Sequence, residues 1–309
     1  MVYDCFTFYN ELDLLEIRLN VLEGVVDRFV LVESTRTHSN QQKHLFFQEN
    51  KGRFAAFLSR IEHVIIDDFP DDRSPWALEG HQRNGIVRAL TACVDEDDIL
   101  ISDLDEIPSP EKIREYAGSP GIKLFEQGKF YYFLNYLNVT DPVWCQGTKM
   151  LSYRDFRTGT GCMENIHDKN FMAALNRGVT ATRVRLIKNA IHVKDGGWHF
   201  SYVGGYEAIA DKIRSFSHQE FNTEAFTSID RIKRRVDRGE DIFGRDYRYA
   251  ALKLDARFPQ YIRDQKEKYS HLLNERRALS AAGVFLYRWW CVLGKRWRKM
   301  RRHVKREAA

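Results

Sequence analysis

Between Ile99 and Pro108 the chain reads Ile-Leu-Ile-Ser-Asp-Leu-Asp-Glu-Ile-Pro. An apolar run enters three carboxylates within four residues, Asp103, Asp105 and Glu106, and a proline ends it. Like charges at this spacing repel, and ionised carboxylates are costly to desolvate. A divalent cation relieves both penalties. Oxygen ligands suit Mg²⁺ or Mn²⁺, which keep waters and bind substrate phosphates through one or two protein carboxylates. The plain alternative is a solvated acidic turn after a buried strand. A second rival is the opening of a haloacid-dehalogenase-type phosphatase. That pattern expects Thr or Val where this chain has Ile107, and it stands near the N-terminus, whereas strands and helices precede it here.

The elements that must carry these groups alternate over the first 140 residues. A strand pattern at 2–8 is followed by apolar positions 12, 15, 19 and 22 at helical spacing. Further strands are expected at 28–34, 61–67 and 97–103, with helices around 44–58 and 76–93. Such alternation implies βαβ units, an α/β fold and a mostly parallel sheet flanked by helices. Ligands of such sheets sit beyond the carboxyl ends of the strands. Asn10, Glu11, Glu33, Ser34, Asp103 and Asp105 all fall at such ends. Ser109-Pro110 opens a short helix as N-cap and first residue. A strand-like pattern runs over 122–153, 154–180 reads as a polar loop, and 183–193 reads as a strand. Helical patterns fill 205–238 and 259–273.

Two further clusters bear on chemistry. Asp195-Gly196-Gly197-Trp198-His199 sets a glycine hinge before an aromatic-flanked histidine. Glycine lets backbone approach a ligand, so His199 is a candidate metal or diphosphate contact and Trp198 a sugar platform. The bland reading is a core histidine beside a packed tryptophan. Glu79 and Arg83 stand four apart on a helix, which suits a surface ion pair; alternatively Arg83 or Gln82 points at a nucleotide, where Arg suits phosphate.

The chain has 309 residues, 48 Lys/Arg and 43 Asp/Glu, for a net charge of +5. The excess is local: residues 275–309 hold eleven Lys/Arg and two Glu, and the remainder is net −4. A nucleic-acid-binding body is therefore not indicated. The aromatic residues are read mainly as core. Five cysteines with no Cys-x-x-Cys suggest neither a disulfide framework nor a zinc site, which fits a reducing, cytoplasmic setting. The N-terminus shows no signal-peptide pattern.

Taken in order, four stretches resemble glycosyltransferase family 17: Phe8–Arg18, Val26–Ser34, Asp103–Pro108 and Gly197–Ser201. A weaker echo covers Arg238-Gly239 and Pro259–Tyr261, so the similarity is expected to run over residues 1–273. The resemblance implies a GT-A nucleotide-diphosphosugar fold, a UDP-N-acetylglucosamine donor, Mn²⁺ or Mg²⁺, and inversion at the anomeric carbon. On that basis Asp105 ligates the metal, Asp103 bridges metal and ribose, and Glu106 supports them. Asn10, Glu11, Glu33 and Ser34 line the uridine and ribose pocket, with Arg83 and Trp198 on the donor and His199 near the metal. Asp195 and Glu164 are candidate bases for the acceptor hydroxyl. Animal members carry a membrane anchor that this sequence does not show, so a bacterial-type surface glycan or a lipid-linked glycan is the expected acceptor. A silent nucleotide-sugar or glycan-binding module would need no intact acidic cluster.

One glycosyltransferase domain is therefore expected over 1–274, with a basic amphipathic tail over 275–309. Ala281–Leu293 is too short, and interrupted by Arg288, to span a bilayer. Arg288, Lys295, Lys299, Arg302 and Arg306 recur at helical spacing beside Trp289, Trp290 and Trp297. That composition suits an anionic membrane surface contacted through residues 276–306, on the inner face of the membrane. A helix packed on the catalytic domain with a solvated basic end is the alternative.

Overall fold

The computed structural model describes residues 1–159, 181–187, 190–276, 278–280 and 282–291. The chain divides into two compact units, each assembled from separate stretches. The first holds Met1–Gly128, Val143–His199 and Lys212–Glu220; the second holds Lys129–Pro142, Phe200–Asp211 and Phe221–Ala309. This division is not visible as a composition shift in the sequence, which reads as one body up to 274.

Thirteen strands are formed among the described residues: β1 (Val2–Phe8), β2 (Arg28–Ser34), β3 (Ile61–Ile66), β4 (Asp98–Asp103), β5 (Glu106–Pro108), β6 (Lys123–Phe125), β7 (Gln127–Tyr131), β8 (Tyr136–Asn138), β9 (Val143–Trp144), β10 (Lys149–Ser152), β11 (Ile191–Val193), β12 (Gly197–Ser201) and β13 (Tyr249–Ala251). The first unit is built on a seven-stranded sheet in the order β11-β6-β10-β4-β1-β2-β3. β1, β2 and β4 are parallel and nearly continuously apolar, as strands covered on both faces must be. Cys5, Val30, Ile101 and Leu151 pack there with Ile86 and Val184 in one core. β10 lies antiparallel between β4 and β6. In the same unit, residues 197–199 of β12 pair antiparallel with β5.

The strand order turns at β1, which has β2 on one side and β4 on the other. Such a reversal opens a crevice at the carboxyl ends of the two diverging strands. Thr7 stands in register with Asp103 there. The loops after β1 and β4 carry Asn10-Glu11 and Asp103–Glu106, so the topology places the acidic turn at the switch point.

Arg18 shapes that turn. It lies on the Leu12–Leu22 helix and is fully buried. Its Nε and Nη2 donate to the two oxygens of Asp4 at 2.7 and 2.6 Å. Its Nη1 donates to the carbonyls of Asp103, Leu104 and Glu106 at 2.9–3.0 Å. Asp4 supplies the counter-charge, and the Glu106 carbonyl also accepts from Thr148 Oγ1 at 3.0 Å.

Three sequence expectations change, the first at the start of the loop expected over 154–180, where Tyr153–Thr158 is a helix capped by Ser152. The alternation Arg183-Val184-Arg185-Leu186 suggests a strand, but Ala181–Leu186 is helical. Ala181, Val184 and Ile187 recur every third residue and are buried, so core contact overrides the period-two pattern. The expected helices at 44–58 and 76–93 are each split into an α-helical and a 3₁₀ part.

In the second unit, β8 pairs with β13 and Phe130 of β7 with Leu137. Tyr131 stacks on Tyr249, and buried Asp241 pairs with Arg245 at 2.6 Å. Residues 282–290 and Cys291 form a helix. Among the described residues no helix is long and apolar enough to cross a membrane, and no disulfide forms.

Replacing Arg18 with Met should lower stability by about 3–5 kcal/mol, because Asp4 is left charged in the interior. The double variant Arg18→Met, Asp4→Leu should recover most of that loss. Urea unfolding of the three proteins checks it; equal losses in single and double variants would show that the ion pair is not what Arg18 supplies.

Candidate active site

The three carboxylates of the turn are disposed differently. Glu106 is buried and fully engaged: it accepts from the Asp103 amide at 3.0 Å, from Trp144 Nε1 at 2.7 Å, and from both terminal nitrogens of Arg185 at 2.6 and 2.9 Å. These bonds make it a positioning residue for Arg185 and Trp144. Asp103 is the open one, with its side chain 36% exposed. Its two oxygens face Arg83 Nη2 at 2.9 Å and Arg185 Nη2 at 3.1 Å. Asp105 is buried, with Lys212 Nζ at 2.8 Å from one oxygen and His199 Nε2 at 3.6 Å from the other.

Each cation arrives on a different element. Arg83 ends the Pro75–Asn84 helix and divides its guanidinium between Asp103 and Glu79, four residues back at 2.9 Å. The helix pair with Glu79 forms, with Arg83 buried and not on the surface, and the other arm of Arg83 holds Asp103. Arg185 comes from the Ala181–Leu186 helix and Lys212 from the Tyr206–Ser215 helix. Lys212 also lies 3.5 Å from Glu11.

These charges set the ionisation states. Burial alone would raise the Asp103 pKa, but Arg185 and Arg83 outweigh it and hold the carboxyl well below the usual carboxylate range. Burial likewise opposes ionisation of Asp105, and chiefly the charge of Lys212 overcomes it. The pKa of His199 is lowered, chiefly by burial and against the pull of Asp105, so its ring is neutral near pH 7.

Strand pairing decides which residues of the Gly-Gly-Trp-His stretch reach the turn. His199 stands opposite Glu106, Trp198 opposite Ile107 and Gly197 opposite Pro108. Neighbouring side chains on a strand point to opposite faces, so Trp198 faces away from the side on which His199 meets Asp105. The aromatic partner of His199 is Trp144, with ring centroids 4.6 Å apart. The glycines serve the sheet: a Cβ on Gly197 would collide with the Ile107 carbonyl, and one on Gly196 would lie 2.8 Å from Phe125 Cα. Asp195 lies beyond the Pro108 end of the pair, exposed and near Lys112. It sits in the turn before β12, with a left-handed backbone (φ 52°), four residues ahead of His199. Glu164 lies outside the described residues.

At the other strand ends, Glu11 joins the site through Lys212, and the Asn10 amide donates to Glu11 at 3.1 Å. Glu33 is fully buried; it accepts from the Phe47 amide at 3.0 Å and pairs with His63 at 3.1 Å and Lys43 at 3.7 Å. Ser34 is buried and accepts from the Arg36 amide. These two anchor the loop after β2, and Lys43, which pairs with Glu33, lines the adjoining cavity. The opening lies one step further, where Thr35, Arg36, Gln42, Lys43, Asp67 and Phe69 line a cavity of about 380 Å³ with Arg73. It sits at the carboxyl ends of β2 and β3. From β4 that is two to three strand spacings, roughly 10–14 Å.

Among the described residues no three His, Cys, Asp or Glu side chains gather as a protein-only metal cage. A site completed by phosphate oxygens and water needs fewer protein ligands. The donor set fits that smaller demand. Asp105 is ionised, already holds an ammonium on one oxygen, and has a neutral imidazole by the other.

The sequence reading missed Arg18, Trp144, Arg185 and Lys212. Nothing in their local spacing marks them, since each is brought in from a distant element.

The class to which this arrangement corresponds is indicated by comparison with known proteins. Residues 1–137 match the model for Glycosyltransferase family 17. The chain resembles that family over the stretch holding β1 to β5 and the acidic turn. Three relatives are the beta-1,4-mannosyl-glycoprotein 4-beta-N-acetylglucosaminyltransferases of Rattus norvegicus, Homo sapiens and Mus musculus, at 29%, 29% and 28% identity over 120 residues. Each alignment covers 36% of this chain and 22% of the relative, so the chain matches about a fifth of their length. The family match stops at residue 137, short of Trp144, Arg185, His199 and Lys212.

Lys149, buried with Nζ donating 2.7 Å to the Arg185 carbonyl, gives a pH test of the site's packing. Burial, then the charge of Arg185, lowers its pKa from 10.5 to about 8. Between those values the unfolded chain keeps a proton that the folded chain releases, so stability rises with pH across that window. Below about 8 the penalty for the buried charge is at its full size. Relative to Lys149→Met, the wild type should gain about 3 kcal/mol across the window. Urea unfolding of both proteins below and above it measures this; parallel profiles would contradict it.

Proposed function

We propose that this chain is a glycosyltransferase of GT-A architecture that moves N-acetylglucosamine, or a related sugar, from a UDP-sugar to a glycan acceptor. The observation that carries the reading is the acidic turn Asp103–Glu106 at the switch point of the parallel sheet, inside the stretch that matches family 17. The sheet order, with one antiparallel strand next to β4, supports the architecture. The cavity beyond β2 and β3 supports the nucleotide, with Asp67 to accept from a base N–H and cations for its carbonyl and phosphate oxygens. Its separation from Asp103 suits the length of a nucleoside diphosphate.

Asp105 would hold Mn²⁺ or Mg²⁺, with Asp103 and His199 as the further candidate contacts and Asp103 also a candidate for the ribose. An ion bound there supplies Lewis-acid neutralisation of charge on the departing UDP. The chain's own groups do the rest. Arg83 and Arg185 keep Asp103 ionised, and Glu106 fixes Arg185. Lys212 adds a positive charge at the same end of the site. Trp144 covers His199 and keeps its ring in place. Asp195, in the turn before β12, and Glu164 are the candidates for the base that takes the acceptor proton.

Purified protein should hydrolyse a UDP-sugar slowly without acceptor, lose that activity in EDTA and regain it with Mn²⁺. Asp105→Ala should lose on the order of 10²–10³ in turnover with little change in melting. Unchanged, EDTA-insensitive turnover in the variant would sink the assignment.

A further inference from the structure

The helix at 282–291 is bound on one side and bare on the other. Val284 and Cys291 are buried, and Tyr287 between them is half-buried, with Arg248 and Tyr136 near its ring. The chain entering the helix is fastened to β13: the Leu279 amide donates to Ala251 at 2.7 Å, and Lys253 donates back to Leu279 at 3.0 Å. At 100° per residue Val284, Tyr287 and Cys291 share one face. Phe285, Leu286, Trp289 and Trp290 share the opposite one, at 64%, 68%, 60% and 70% exposure. Among the described residues these are the four most exposed large hydrophobic side chains. A contiguous apolar patch on a docked helix marks an interaction surface.

Charge identifies the occupant. The second unit carries 24 Lys/Arg and 14 Asp/Glu, net +10, whereas the first carries 24 and 29, net −5. Residues 292–309, which follow the patch directly, hold eight Lys/Arg and one Glu. Arg288 flanks the patch itself. A second copy docking here by two-fold symmetry would bring two such basic stretches together. An anionic surface would be attracted by the same charge, and indole rings suit the boundary between headgroups and acyl chains.

We propose that this face docks the protein on an anionic lipid bilayer. The helix lies in the plane of the surface with Phe285, Leu286, Trp289 and Trp290 inserted, and the positive charge of Arg288 and of the sequence that follows draws it to the anionic headgroups. The docking is peripheral and reversible by salt, and it does not depend on glycosyl transfer.

The test is co-sedimentation of the full chain with phosphatidylcholine vesicles with and without phosphatidylglycerol. The wild type should bind the phosphatidylglycerol vesicles and be released by high salt. Trp289→Ser with Trp290→Ser should lower the partition coefficient by on the order of tenfold with unchanged melting, since both side chains are exposed. Neutralising Lys295, Arg298 or Arg302 to Gln should lower it roughly fivefold each. Equal binding of wild type and the double variant, or no preference for phosphatidylglycerol, would overturn the proposal. So would a lipid-free dimer that the double variant converts to monomer, which would assign the face to self-association.

Discussion

Three carboxylates in four residues, most of their surface removed from water, are the constraint on which the first unit depends. Left alone they would repel or take up protons. Arg18 holds the backbone of the turn, Arg83 and Arg185 hold Asp103, Arg185 also holds Glu106, and Lys212 holds Asp105. These four cations come from four separate helices. Neutralising the turn therefore also fixes where those helices lie. The folding problem and the site problem have one solution.

That solution also grades the acids. Glu106 has no spare acceptor capacity and serves as scaffold. Asp103 is open but held ionised by two guanidiniums. Asp105 keeps the looser company of an ammonium and a neutral imidazole, which makes it the carboxylate best able to take up another cation. The division follows from burial and partners, not from order in the sequence. It also explains why the family match can end at residue 137 without the site being complete there: the stretch that matches supplies the acids and Arg83, while Trp144, Arg185, His199 and Lys212 come later.

Much of the sheet was legible because parallel strands covered on both faces leave apolar runs, as in Phe29–Val32 and Ile99–Ile101. Their carboxyl ends could be located from that alone, and with them the acidic turn. The Ser109 cap was legible from local chemistry, and the structure shows it accepting from the Lys112 amide. What the sequence hid was long-range. Glu33 stands at a strand end like Asp103, yet it turns inward to His63 and Phe47, and no local pattern separates the two cases. Asp195 reads as adjacent to His199, but it sits in the turn before β12, beyond the Pro108 end of the strand pair. Trp198 and His199 are neighbours in sequence and opposites in space. Arg185 was hidden by an alternation that imitates a strand.

The central claim is that Asp105 and its neighbours form a cation-assisted site for a nucleoside diphosphate. Calorimetric titration of UDP into the full chain, with and without Mn²⁺, tests it most directly. The account predicts that UDP binds, that Mn²⁺ tightens the binding, and that Asp105→Ala removes the Mn²⁺ effect while leaving weak binding at the cavity beyond β2 and β3. No UDP binding in either condition, or an affinity indifferent to both Mn²⁺ and Asp105, would contradict it.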